Sequence, residues 1–146
     1  MMPLRLLFLL VRTLWTLPTT AVGLLFGLAA TAFGARWQLR RGVLECHGRP
    51  IGWAMESPPW ARGRIFLAIT FGDVILGRSP AALDIARDHE HVHVRQAHRW
   101  GPAFIPAYLV ASLWVKLRGG DGYRDNPFEV EAYGIAGGDG PNDRRT

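Results

Sequence analysis

Twenty-three consecutive residues, Thr13 to Ala35, carry no charge. That run exceeds the ~20 apolar residues that take a helix across a bilayer. It restricts the chain to folds that give an apolar helix somewhere to go. The preceding stretch, residues 3–12 (PLRLLFLLVR), is also apolar, with Arg5 and Arg12 embedded in it. Pro18 removes a backbone donor and clashes with the preceding turn, so it kinks or breaks a helix at Leu17. Residues 1–36 are therefore expected to form a membrane anchor. They allow one long helix, a helical hairpin, or an amphipathic lead-in followed by a single span. Ala30-Thr31-Ala32 also fits a signal-peptide cleavage site. The charged break at Arg12 argues against that reading, and Trp15 and Trp37 bracket the run as interfacial anchors do. A retained anchor is preferred.

The 146 residues carry 17 basic and 12 acidic side chains, a net charge of +5. The excess is local. Residues 1–64 hold eight Arg against Glu45 and Glu56, a balance of +6; residues 65–146 hold nine basic and ten acidic residues, a balance of −1. The positive charge thus sits around the apolar run, where it serves membrane orientation. No basic stripe is interleaved with aromatics, so nucleic acid is not an expected partner. Cys46 is the one cysteine, which rules out an internal disulfide. It reads as a small, half-buried strand residue.

Residues 37–78 change character. The first part, WQLRRGVLECHGRPIGWAM, alternates and carries Gly at turns; the second, RIFLAITFGDVILG, is rich in Ile, Val and Phe with a turn at Gly72-Asp73. Together they read as a small antiparallel sheet of three or four strands, with Pro58-Pro59 in the loop between its halves. Ser79-Pro80 is a helix start, a capping hydroxyl followed by Pro at the first helical position. That helix should run to Trp100 and stop at Gly101-Pro102. Residues 102–117 are apolar and read as helix, and Asn126-Pro127 opens a last helix ending near Gly134. The tail, 137–146, is expected to be disordered. The fold class is α+β, with residues 37–136 as the water-facing domain.

The chemistry concentrates at His89-Glu90-His91-Val92-His93, an HExxH pattern inside the expected helix. Residues four apart share a helix face, so His89 and His93 can reach one metal. Glu90 is rotated ~100° from His89, which suits it to a metal-bound water rather than to the metal. This is the metalloprotease arrangement. The plainer reading is a solvated polar helix, since four of the five histidines (89, 91, 93 and 98) fall within ten residues. His91 and His98 are off the spacing and read as flank or surface residues. The metal reading gains from the face that His89 and His93 share, which is otherwise apolar: Ala82, Ile85, Ala86, Ala97 and Trp100. Histidines in a buried stripe need partners. Gln96 stands three residues after His93, in reach for a supporting hydrogen bond.

A third ligand is sought downstream, in Asn126-Pro127-Phe128-Glu129-Val130-Glu131-Ala132-Tyr133. Glu129 stands at the capping-box distance from Asn126, and Glu131 could face solvent; either alone would be structural. HExxH followed by a helical Glu-x-x-Ala resembles the gluzincin metallopeptidases, of which thermolysin is the familiar example. The chain also resembles the integral-membrane prenyl-type peptidases and small proteins with an HExxHxxQ…ExEA pattern. The resemblance covers roughly residues 79–136. It implies a zincin-like domain with zinc as cofactor, His89, His93 and Glu129 as ligands, Glu131 as the fallback, and Glu90 as general base. Tyr133 departs from the family, which places Asp there to orient a zinc histidine. No oxyanion-stabilising group is assigned; Tyr108, Tyr123, Tyr133 and His98 are the candidates.

A shared metal constrains topology. Were residues 102–117 to cross the bilayer, His93 and Glu129 would lie on opposite sides, so the segment should be a core, interfacial or re-entrant helix. Its 16 residues span ~24 Å, short of a full crossing. Arg5 and Arg12 precede the apolar run, and Arg36, Arg40 and Arg41 follow it. The slight excess on the second side puts the C-terminal domain in the cytoplasm, at a bacterial inner membrane. The function expected is a membrane-anchored zinc metallopeptidase, with membrane lipid and a peptide or protein substrate as partners. The alternative is a non-catalytic membrane protein with a structural or degenerate HExxH site.

Overall fold

The computed structural model describes residues 3–59 and 64–137. Residues 138–146, expected to be disordered, lie outside the described residues. Helix α1 runs unbroken from Leu4 to Thr31 with Pro18 inside it. The hairpin alternative is therefore not what forms. Contacts on both sides of Pro18 hold the helix: Trp15 packs on Gly101, and Thr19 and Thr20 pack on Gly72.

Four strands follow: β1 (Arg36–Arg40), β2 (Val43–His47), β3 (Ala68–Phe71) and β4 (Val74–Gly77). The sheet order is β1-β2-β4-β3. The β1–β2 hairpin turns through Arg41 and Gly42, both at positive φ, as a type I′ turn demands. The β3–β4 hairpin turns at Gly72-Asp73, as the sequence indicates, with Gly72 at φ +60°. The expectation of an all-antiparallel sheet is corrected: β2 and β4 pair in parallel, and the sheet is mixed. Residues Arg49–Glu56 form helix α2 where extended chain was expected. Pro50 sits in its first turn, and Ile51 and Met55, four apart, pack into the core. This helix carries the chain over, as a parallel pair requires.

Helix α3 (Pro80–Trp100) begins as expected, with the Ser79 side chain accepting from the Ala82 N–H. A 3-10 turn at Gly101–Ala103 leads into α4 (Phe104–Leu117), and α5 runs from Pro127 to Ala136. Its Asn126 cap accepts from the Phe128 N–H, and its amide donates to the Tyr108 carbonyl and Ser112 hydroxyl, tying α5 to α4.

Side-chain alternation on β4 explains the layering. Val74 and Leu76 pack with Ala30 of α1, and Ile75 packs with Leu83 and Val94 of α3. The sheet is therefore covered by α1 on one face and α3 on the other. Small residues make the first contact possible. Thr16, Thr19, Gly23, Gly27 and Ala30 are the buried face of α1. A Cβ on Gly23 would come within 2.9 Å of Phe71 and Val74. Cys46 is fully buried under this layer rather than half-buried, and burial pushes its thiol up. Glu45 is also fully enclosed, bonded by Arg87 and Gln38.

Candidate metal centre

Helix geometry brings the two histidines together. His89 Nε2 and His93 Nε2 lie 3.0 Å apart, one turn from each other on α3. The first turn of α5 supplies the carboxylate: Glu129 Oε2 is 3.1 Å from His89 Nε2, and Oε1 is 3.4 Å from His93 Nε2. His89, His93 and Glu129 form a cluster that could hold a metal ion. Two atoms each 2.0–2.1 Å from a tetrahedral zinc stand about 3.3 Å apart, so these separations suit an ion of that size. Glu129 is 3% exposed, and its Oε2 receives no hydrogen bond, nor does the buried His89 Nδ1 have a partner. Buried groups left in that state are costly, and a cation among them would satisfy the carboxylate.

Glu131, the fallback, is not in the cluster. Its carboxylate accepts from Gln96 and Arg99. Among the described residues, His89, His93 and Glu129 are the group that could hold a metal, with no fourth His, Cys, Asp or Glu joined to it. His98 sits elsewhere, 2.6 Å from Asp73 Oδ1.

The surroundings orient the ligands. Gln96 donates both amide hydrogens, to the Phe128 carbonyl and Glu131 Oε2, so its Oε1 must face His93 Nδ1 at 2.8 Å. His93 Nδ1 then carries a proton for Gln96, and Nε2 is the ring nitrogen turned toward the cluster. Tyr108 of α4 donates to Glu129 Oε1 at 2.6 Å. The Tyr133 ring lies 4.3 Å from that of His89, and its hydroxyl is 3.3 Å from that of Tyr123. Tyr133 therefore packs over His89, at the place where the resembled family would hydrogen-bond a zinc histidine through Asp.

Glu90 is not a solvated flank residue. It is 5% exposed, and its Oε2 accepts a 2.7 Å hydrogen bond from Thr70 on β3. Burial raises its carboxyl, partly offset by the charge of His93 and the Thr70 bond. Burial would raise Glu129 too, but the imidazoles of His89 and His93 hold it low. Burial alone would lower His93; the adjoining Glu129 and the charge of Glu90 push it up to about 9. The site thus contains one carboxyl with raised proton affinity and one held ionised.

The apolar face expected around the histidines is corrected in part. Ala82, Ala86 and Ala97 are buried, but Ile85 is 75% exposed and Trp100 is half-exposed. Thr70 and the bond from Tyr108 to Glu129 escape sequence reasoning, because each joins residues about 20 positions apart with no local pattern. No protein-family model, curated protein or solved structure matches this chain.

Proposed function

We propose that the chain is a membrane-attached zinc metallopeptidase. The observation that carries this reading is the meeting of His89, His93 and Glu129 beside a buried Glu90. His89 Nε2, His93 Nε2 and the Glu129 carboxylate would hold the ion, and Gln96 and Tyr108 fix their orientation. Bound zinc supplies a Lewis acid that polarises a carbonyl and lowers the pKa of a coordinated water. Glu90 is the general base. Placed beside the ligand histidines, it would take a proton from the attacking water and pass it to the leaving amine, as the peptide C–N bond breaks. Thr70 occupies Glu90 Oε2 and so fixes the carboxylate plane.

Three protein ligands leave one coordination position, the pattern of catalytic rather than structural zinc sites. The structural-site alternative needs a fourth ligand. His98, one candidate, is engaged by Asp73 instead. Helix α1 is long and apolar enough to cross a membrane, and in this reading it provides attachment to lipid. A peptide or protein is the substrate. The test is metal content: purified protein should carry one zinc per chain, and His89→Ala and His93→Ala should each lose it. Stoichiometric zinc in both variants would end the proposal.

A further inference from the structure

We infer that α1 and α4 together form one membrane-facing surface, and that it seats on an anionic phospholipid bilayer without crossing it. The inference rests on the membrane reading above and goes beyond it in how the chain meets lipid.

The first observation is where the sheet sits on α1. The helix is ~42 Å long by its 28 residues. From Thr16 to Ala30, half that length, its small-residue face is buried against the rest of the fold. Trp15 also packs on Gly101, so at most residues 4–14, ~17 Å, extend beyond the contact. A bilayer core is ~30 Å thick. If α1 crossed it, part of the sheet would be drawn into hydrocarbon. That part includes β3, an edge strand, and Asp73 with its Thr16 and His98 partners. Unpaired strand edges are not tolerated facing lipid. Lying along the surface, α1 keeps the sheet in water and offers lipid the side opposite its buried face, where Leu14, Leu17, Leu25 and Leu28 are exposed.

The second observation is α4. Its inner side holds Tyr108 on Glu129, and its outer side exposes Leu109, Val110, Leu113 (58%), Trp114 and Leu117. Its 14 residues are too few to cross. Because His93 and Glu129, on the helices flanking it, meet in one cluster, both its ends lie on one side. Trp15 of α1 packs on Gly101, where α4 is launched, so the two apolar surfaces are contiguous in the fold.

The charge pattern selects lipid over a second copy. Residues 4–35 and 102–120 contain no acidic residue, and Arg5, Lys116 and Arg118 are exposed, while the half-buried Arg12 directs its charge to Asp73. A basic fringe on an apolar face complements anionic headgroups, whereas two such faces would repel each other. Half-exposed Trp15 and Trp114 suit the interface.

The test uses the full chain, since buried Cys46 is shielded from reagents. Single cysteines replace Arg5, Asp84, Leu14 or Leu113. The protein is first floated with vesicles containing anionic phospholipid. Sealed vesicles of each orientation, prepared from expressing cells, are then treated with a membrane-impermeant maleimide. Arg5→Cys and Asp84→Cys should label in the same preparation. Fluorophores at positions 14 and 113 should be quenched by lipids brominated on their acyl chains, and one at position 84 should not. Labelling of positions 5 and 84 from opposite sides means that α1 crosses, and overturns the inference. A position-113 probe quenched only by aqueous iodide, or by neither quencher, places α4 in water or against protein and also overturns it. Failure to float refutes the membrane reading itself, separately from these outcomes.

Discussion

Gln96 decides which nitrogen of His93 faces His89 and Glu129. Both of its amide hydrogens are committed elsewhere, so its oxygen faces His93 Nδ1 at 2.8 Å. Replacing Gln96 by Ala frees the ring to rotate or change tautomer. Loss of such supporting partners typically lowers metal affinity 10–100-fold. Titration of zinc against a competing chelator should show a drop of that order for Gln96→Ala, with helical content retained. Unchanged affinity would mean that His93 is oriented by something else.

A second expectation concerns the layer formed by α1. Gly23 has no room for a side chain between Phe71 and Val74. Overpacking of this kind typically costs about 1–3 kcal/mol. Gly23→Leu should therefore lower the denaturant midpoint in mild detergent. Leu25→Ala, at a position 68% exposed, should barely move it. Equal effects would contradict the packing of α1 on the sheet.

Asp73 links three elements: it accepts from Thr16 of α1 at 2.7 Å and lies 2.6 Å from His98 of α3. The His98 bond, followed by the Thr16 bond and the charges of His98 and Arg12, outweighs burial and holds its carboxyl below the usual range. A depressed folded value means that the stabilisation is present above the unfolded value of ~3.9 and is lost as pH falls through the lower folded one. The stability difference between wild type and Asp73→Asn should thus be open at pH 6 and close below about pH 4. Denaturant titrations across that range check it; a difference independent of pH would show that Asp73 acts by shape alone.

The parts of this fold legible in the sequence are those with local causes. Ser79-Pro80 and Asn126-Pro127 mark helix starts through capping chemistry, and both caps form. The four-residue spacing of His89 and His93 fixes their shared face whatever surrounds the helix. What escaped has long-range causes. The parallel pairing of β2 with β4 depends on α2, whose short segment alternates well enough to pass for a strand. Pro18 leaves a long helix and a hairpin both open, and tertiary contacts on both its flanks go with the long helix. Glu90 stands out by its place in the motif, but its burial depends on Thr70, 20 positions away on β3, and has no local signal.

The most direct test of a peptidase mechanism compares Glu90→Gln and Glu129→Gln with wild type, for zinc content and for cleavage of a peptide library. Glu90 touches Thr70 rather than the cluster's ligand atoms, so Glu90→Gln should keep full zinc while cleavage falls roughly 10²–10⁴-fold, the usual contribution of a general base. Glu129→Gln should bind zinc more weakly, having lost the anionic member of the set. Wild-type protein that holds one zinc per chain and cleaves nothing, or Glu90→Gln that cleaves as fast as wild type, would contradict the mechanism and leave a structural metal site in its place.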